Sequence, residues 1–351
     1  MTSITKPPVR HPSLQQNALG LTKRDYEGAM STLCAGCGHD SITAALTQAF
    51  FELDVPPHRV AKLSGIGCSS KTTAYLLRQS HGFNSVHGRM PSVATGANAA
   101  NADLNYIGIS GDGDSLSIGL GQLCHAIRRN VRMLYVLENN GVYGLTKGQF
   151  SASADLGSTM KGGEPNAQPP IDPVLLALTL GASFVARSFS GDKAQLVPLL
   201  KAGLRHKGFG IIDIISPCVS FNDHDGSTKS YRFTREHHTE IAPVDFVPLR
   251  SEIRAASAPD ETVSVTLHDG SVVRLRQIGD TYDPRDRDAA YSWVRASQQK
   301  GEVATGLVFI NEDTADMHAV NKTVTTPLVE LPYEQLCPGK AALDSLMEEL
   351  R

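Results

Sequence analysis

Two polar residues, Asp112 and Asn140, stand 28 positions apart around an apolar, then helical, then apolar stretch. That arrangement restricts the chain to few folds. Tyr106-Ile107-Gly108-Ile109-Ser110 is short and apolar, as a buried strand should be. Leu116 to Arg129 has helical character over about four turns. Met133-Leu134-Tyr135-Val136-Leu137 then reads as a second buried strand. Strand, helix and strand in this order make a βαβ unit with parallel strands. Gly111-Asp112-Gly113-Asp114 and Glu138-Asn139-Asn140 therefore fall just past the carboxyl ends of neighbouring strands, where open α/β sheets bind ligands.

The residue types at those ends suit a hard cation and a diphosphate. Magnesium takes near-octahedral oxygen ligands, commonly one or two carboxylates together with phosphate oxygens. Asp112 supplies charge, Asn140 a neutral side-chain oxygen, and the following turn a backbone carbonyl, that of Val142 being best placed. Gly111 and Gly113 let the backbone pass close to phosphate, and a helix opening near Ser115 adds free N–H groups. Gly-Asp-Gly alone is a common tight turn. The Asn-Asn pair at this distance, with strand, helix and strand between, favours the ligand site.

The six cysteines belong to a reducing compartment. Cys34 and Cys37 form one Cys-x-x-Cys knuckle, Cys68 lies in a glycine turn after the predicted strand Val60–Leu63, and Cys218 follows Ile211–Ile215 and Pro217. Loops at one edge of a sheet can gather these four sulfurs. Four thiolates suit either zinc or an iron–sulfur cluster. Cys124 reads as a small core residue of the helix between the cofactor strands, and Cys337 has no evident partner.

The Gly-Asp-Gly and Asn-Asn pairing resembles the thiamine-diphosphate motif. Cys34-Ala35-Gly36-Cys37-Gly38-His39, Gly65-Ile66-Gly67-Cys68-Ser69-Ser70-Lys71, His87-Gly88-Arg89 and Tyr143-Gly144-Leu145-Thr146-Lys147-Gly148-Gln149 appear in that order around it. Together these motifs resemble the β subunit of 2-oxoacid:ferredoxin oxidoreductases over roughly residues 30 to 235, and more loosely in the tail. Alanine at position 35, where relatives commonly have proline, leaves the ligands intact.

The resemblance implies thiamine diphosphate held with Mg²⁺ by Asp112, Asn140 and Val142. Gly111, Gly113 and Asp114 would line the diphosphate, with Gly67 and Ser69 opposite. His87, Gly88 and Arg89 would touch the cofactor, and Tyr143, Gly144, Leu145 and Thr146 would turn over it. Lys71, Leu145 and Lys147 are expected at the reacting end, Lys71 meeting a substrate carboxylate. The resemblance also implies one [4Fe–4S] cluster on Cys34, Cys37, Cys68 and Cys218, and coenzyme A as co-substrate. An α subunit would complete the enzyme and ferredoxin would take the electrons. His39 is expected to support a helix end or the ligands rather than to bind metal. The substrate expectation is a 2-oxo acid, 2-oxoglutarate first. Thiamine chemistry on the 2-oxo carbon beside an electron acceptor explains why one chain would carry both sites.

The rest of the chain is compatible with this reading. A length of 351 residues, 41% apolar and 20% charged content, and net charge −3 describe a globular protein with no call for nucleic acid or an anionic membrane. No apolar run nears the roughly 18 residues that span a bilayer, and the polar, proline-bearing N-terminus is no secretory signal, so a cytoplasmic protein is expected. The fold class is α/β, a mostly parallel sheet with helices on both faces. Residues 1–30 read as an arm, 31–235 as the cofactor domain, and 236–351 as an extension with a β-hairpin and helices.

Within these segments, helices are expected from about Asp40, over Lys71–Arg78, Met90–Asp103, Pro173–Leu180, Lys193–Lys207 and 285–299. Strands are expected over Ser183–Arg187 and Gly210–Ile215, and a hairpin around His268-Asp269-Gly270. Residues 151–170, rich in Gly, Pro and Ser, are too long for a mere connector. Leu343, Leu346, Met347 and Leu350 share one helical stripe that must pack on something. Two other readings stay open: a non-redox thiamine decarboxylase or synthase subunit with structural zinc, and a regulatory module without catalysis.

Overall fold

The computed structural model describes residues 11, 13–159, 163–223, 227–242, 262–266, 272–276 and 282–351. The parallel core is built from β1 (Val60–Ser64), β2 (His81–Asn84), β3 (Asn105–Gly111) and β4 (Met133–Asn139). A short hairpin, β5 (Val142–Tyr143) and β6 (Gln149–Phe150), follows. Then come β7 (Phe184–Phe189), β8 (Phe209–Ile215) and β9 (His238–Ala242). β10 (Thr262–Thr266) and β11 (Val272–Arg276) pair antiparallel, and β12 (Val303–Ile310) comes last. The main sheet runs β2-β1-β3-β4-β8-β7-β12-β9. Its first six strands are mutually parallel, whereas β12 runs antiparallel to β7.

Alternation along the strands explains why helices cover both faces. Met133, Tyr135 and Leu137 of β4 pack on one side and Leu134 and Val136 on the other. The first side meets α3 (Met90–Ala100), α4 (Leu120–Arg128), α5 (Pro173–Leu180) and α8 (Arg287–Gln299). The second meets α1 (Gly38–Glu52), through Ile42, Leu46 and Phe50, and α6 (Lys193–Arg205), through Leu196, Leu199 and Leu200. Asp172 caps α5 by accepting from Val174 and Leu175, and Gly181 in the left-handed region ends it.

The predicted helix over 71–78 is cut short. A 3₁₀ turn at Ser69–Lys71 leads into a single turn, α2 (Thr72–Tyr75), after which Leu76 is extended and Leu77 has φ +48°. Buried Lys62 donates to the carbonyls of Leu76 (2.5 Å) and Leu77 (2.9 Å), and Gly28 and Ala29 bond back to Tyr75 and Ala74. Tertiary partners take the groups a longer helix would have used. The helix predicted from Leu116 begins instead as a π-helical turn, Gly113–Ile118, before α4. Such turns are rare and cluster at functional sites.

The segment beyond 236 shares the main sheet through β12, which the sequence reading did not anticipate. The strands of the expected hairpin are present as β10 and β11, while its turn at 268–270 lies outside the described residues, as do residues 1–10 of the arm. Beyond α7 (Tyr231–His237) and α9 (Met317–Asn321), the chain ends in α10 (Tyr333–Leu336) and α11 (Gly339–Glu349). Leu343, Leu346, Met347 and Leu350 do share a stripe, yet all four are exposed.

One buried triad stands behind the cofactor strands. Arg187 donates through Nε to Asp213 (2.7 Å) and through Nη2 to both oxygens of Asp172 (2.9 Å each). Burial pushes the Asp172 carboxyl up, but Arg187 and the Leu175 and Val174 N–H groups outweigh it and hold the group low. A depressed carboxylate contributes stability above its unfolded pKa and loses it as pH falls through the folded value, so this contribution should fade below about pH 4. Replacing Arg187 by leucine leaves buried Asp213 and partly buried Asp172 without their cation and should cost about 3–5 kcal/mol, read as a fall in Tm.

Candidate active site

Every motif singled out in the sequence reaches the same edge. β1 ends at Gly65-Ile66-Gly67-Cys68, β3 at Gly111–Asp114, β4 at Asn139-Asn140, and β8 at Ser216-Pro217-Cys218. The chain leaves β1 toward β2 and returns to β3 on the opposite flank, so β1 and β3 bracket a topological switch point. A narrow pocket there is lined by Gly67, Cys68, Ser69, Gly111–Asp114, Asn140 and Val142–Gly144, together with His39 and Ile66. It adjoins a recess of about 380 Å³ lined by Ser70, Asn84, Ser85, His87, Leu145 and Thr146 among others.

Asp112 is buried at the head of the π-helical turn. Its Oδ1 accepts from the Asn140 N–H at 3.3 Å and its Oδ2 from the Gly141 N–H at 3.0 Å. Ser153 Oγ donates to Oδ2 at 2.7 Å, and Ser151 Oγ is also bonded to it. Asn140 Oδ1 accepts from the Val142 N–H at 3.0 Å, and Gly141, with φ +76°, makes the turn possible. Asp114 has a different task. Its carboxylate accepts from Gly88 N–H (2.7 Å) and Ser110 Oγ (2.8 Å), tying the His87-Gly88-Arg89 loop to the cofactor turn. Tyr143 donates to the Gly113 carbonyl at 2.9 Å, and a Cβ on Gly113 would stand 2.5 Å from its ring.

Cys68 and Cys218 both border Gly144, and Cys34 and Cys37 stand near enough for their titrations to be linked to those two, though among the described residues no three His, Cys, Asp or Glu side chains are arranged to hold one metal ion. Burial raises the Cys37 thiol to about 12, and Cys218 and Cys68 each add to that; Cys68 is raised likewise by burial, with Cys218 and Cys34 contributing. Cys218 feels Cys34 in turn. A Cβ on Gly144 would lie 3.5 Å from Sγ of both Cys68 and Cys218. The knuckle is stitched to the β8 exit by Gly38 N–H on the Pro217 carbonyl (3.4 Å), and Asn222 Nδ2 joins the Cys218 loop to the Asn140 carbonyl (2.8 Å). Cys124 and Cys337 are free thiols elsewhere, on α4 and past α10.

The reacting-end residues divide. Leu145 and Thr146 line the recess, with Leu145 51% exposed. Lys147 is exposed on the turn at φ +79°. Lys71 is half-buried beside Cys68, whose thiol it lowers, and Arg89 is exposed at the start of α3. The sequence reading missed a buried cluster beneath the cysteines. His39 is fully buried, its Nδ1 2.6 Å from Ser216 Oγ and 3.5 Å from Glu138. Burial lowers His39 to about 4, which keeps its imidazole neutral at pH 7, and holds Glu138 well above the carboxylate range. Thr72 Oγ1 completes the cluster by donating to Glu138. Glu138 precedes the Asn-Asn pair directly, the one signal that pointed to it.

Fold and site together define a thiamine-dependent enzyme: residues 65–214 match the thiamine pyrophosphate enzyme family, C-terminal TPP binding domain. A 2-oxoacid:ferredoxin oxidoreductase subunit beta from Saccharolobus solfataricus is 40% identical over 211 residues, covering 60% of this chain and 68% of that one. The 2-oxoglutarate oxidoreductase subunit KorB of Mycobacterium tuberculosis is 39% identical over 220 residues, 60% of this chain and 58% of that one. A solved 2-oxoglutarate:ferredoxin oxidoreductase from Magnetococcus marinus, with 2-oxoglutarate, coenzyme A and succinyl-CoA bound, superposes with TM-score 0.71 at 29% identity, covering 88% of this chain and 92% of that one. The chain belongs to the family of 2-oxoacid:ferredoxin oxidoreductase β subunits, and is a subunit of an oxidoreductase. Among the described residues, no helix is long and apolar enough to cross a membrane.

Proposed function

We propose that this chain holds thiamine diphosphate, Mg²⁺ and one [4Fe–4S] cluster, and that with an α subunit it oxidatively decarboxylates 2-oxoglutarate. Coenzyme A takes the acyl group, CO₂ leaves, and two electrons pass singly to ferredoxin. The observation that carries this reading is a shared wall: Cys68 and Gly144 line the Asp112–Asn140 pocket, and Gly144 abuts the sulfurs. Relatives named for 2-oxoglutarate, and the solved relative with 2-oxoglutarate and succinyl-CoA bound, support the substrate. Six free thiols suit a reducing cytoplasm.

The residues fit the groups proposed for them. Asp112 and Asn140 offer oxygens beside a pocket whose walls at Gly67, Gly111, Gly113 and Gly144 are bare backbone, as close approach of a diphosphate requires. A single zinc holds sulfurs about 2.3 Å from one centre. Among the described residues no three His, Cys, Asp or Glu side chains are arranged to hold one metal ion, and the cluster is proposed on the four cysteines from the family resemblance. When bound, thiamine diphosphate supplies carbanion chemistry at the 2-oxo carbon, beside an acceptor of single electrons. The carboxylate that activates the aminopyrimidine is expected from the α subunit.

The test is anaerobic co-purification with the α subunit, then a panel of 2-oxo acids with coenzyme A and a one-electron acceptor. Brown protein that turns over 2-oxoglutarate fastest is expected, and the chain purified alone should show no turnover. Colourless, zinc-loaded protein that still binds thiamine diphosphate would refute the redox role.

A further inference from the structure

The two oxygens of Asp112 are treated very unequally. Oδ2 takes the Gly141 N–H at 3.0 Å, the Ser153 hydroxyl at 2.7 Å and the Ser151 hydroxyl as well, whereas Oδ1 has only the Asn140 N–H at 3.3 Å. A carboxylate oxygen has two lone-pair directions, and the Gly141 N–H with one seryl proton is enough to occupy both on Oδ2. Oδ1 is left nearly free.

Both hydroxyls are delivered by the segment following β6. Ser151 N–H bonds to the Gly141 carbonyl (3.2 Å), and Ser117 Oγ accepts from Ala152 N–H (3.1 Å). Ser151 and Ser153 are both buried. Ser153 Oγ also lies 2.8 Å from Asn139 Oδ1, a second acceptor for its single proton, and Asn139 Nδ2 donates to Asp213 at 3.0 Å.

We propose that Ser151 and Ser153 are positioning residues that occupy Oδ2, leave Oδ1 as the cation's ligand, and so enforce one-oxygen coordination that selects Mg²⁺ over Ca²⁺. The inference rests on the cation site proposed above. The physical basis is ligand number. Mg²⁺ demands octahedral geometry at short distance, whereas Ca²⁺ takes six to eight oxygens and accepts a carboxylate through both. An Asp112 with its second oxygen already engaged serves the smaller ion and handicaps the larger.

The test uses the complex with its α subunit, stripped of divalent ions and titrated with Mg²⁺ or Ca²⁺ while thiamine diphosphate binding is followed calorimetrically. Ser151→Ala and Ser153→Ala should each weaken Mg²⁺ affinity about 10–100-fold, the usual range for partners of metal ligands, with a smaller loss for Ca²⁺. Ser153→Thr, which keeps the hydroxyl, should restore selectivity. Unchanged Mg²⁺ dependence and an unchanged Mg²⁺/Ca²⁺ ratio in both alanine variants would overturn the proposal. Asp112→Asn separates the two levels: if it too leaves metal dependence untouched, the cation site itself is wrong. Retained visible absorption of the cluster shows that a weakened variant is folded, and each single alanine variant carries the test independently.

Discussion

Asp112→Ala abolishes magnesium-dependent binding of thiamine diphosphate in calorimetric titration, with affinity falling more than about 100-fold, beyond what a lost supporting partner causes. The variant removes the charge and also deprives the Gly141 N–H and the Ser151 hydroxyl of this acceptor, while Ser153 keeps Asn139 Oδ1. Each buried polar group so stranded costs about 1–3 kcal/mol, so a lower Tm is expected as well. Asp112→Asn keeps the shape and removes the charge, and should lose cofactor affinity with a smaller fall in Tm. Full cofactor affinity in both variants would rule out the carboxylate as the cation's anchor.

Cys68→Ser or Cys218→Ser, made in the complex and purified without oxygen, loses the brown absorption and the electron paramagnetic signal of the reduced cluster. Both sulfurs border Gly144, so the loss should be nearly complete in either variant. Burial raises the Cys37, Cys68 and Cys218 thiols, so binding of the proposed cluster would have to expel their protons. Cys124→Ser is the control, since this thiol sits on α4, and it should keep colour and signal intact. Loss of colour there, with retention in Cys68→Ser, would reverse the ligand assignment.

Elements whose signal is local were legible in the sequence. The βαβ unit around Asp112 and Asn140 follows from apolar runs of strand length, and α5 starts and stops at Pro173 and Gly181 as capping rules require. Elements decided by distant partners were not. Nothing local distinguishes Leu76 and Leu77 from the end of a helix; Lys62, on another strand, claims their carbonyls. β12 carries Thr305 and Gly306 at the bulge against β9, which blurs its alternation. The cysteine grouping was legible from turns at strand ends, but the serines on Asp112 were hidden in a segment whose composition reads as loop. Short hydroxyl side chains acquire meaning only when tertiary folding brings them to a carboxylate.

Gly144 carries a final consequence. With hydrogen as its side chain, the partition between the proposed cluster site and the proposed vitamin pocket is no thicker than main chain. In the proposed complex an electron crossing it would need no aromatic stepping stone, and the Cβ of any larger residue would stand 3.5 Å from both sulfurs.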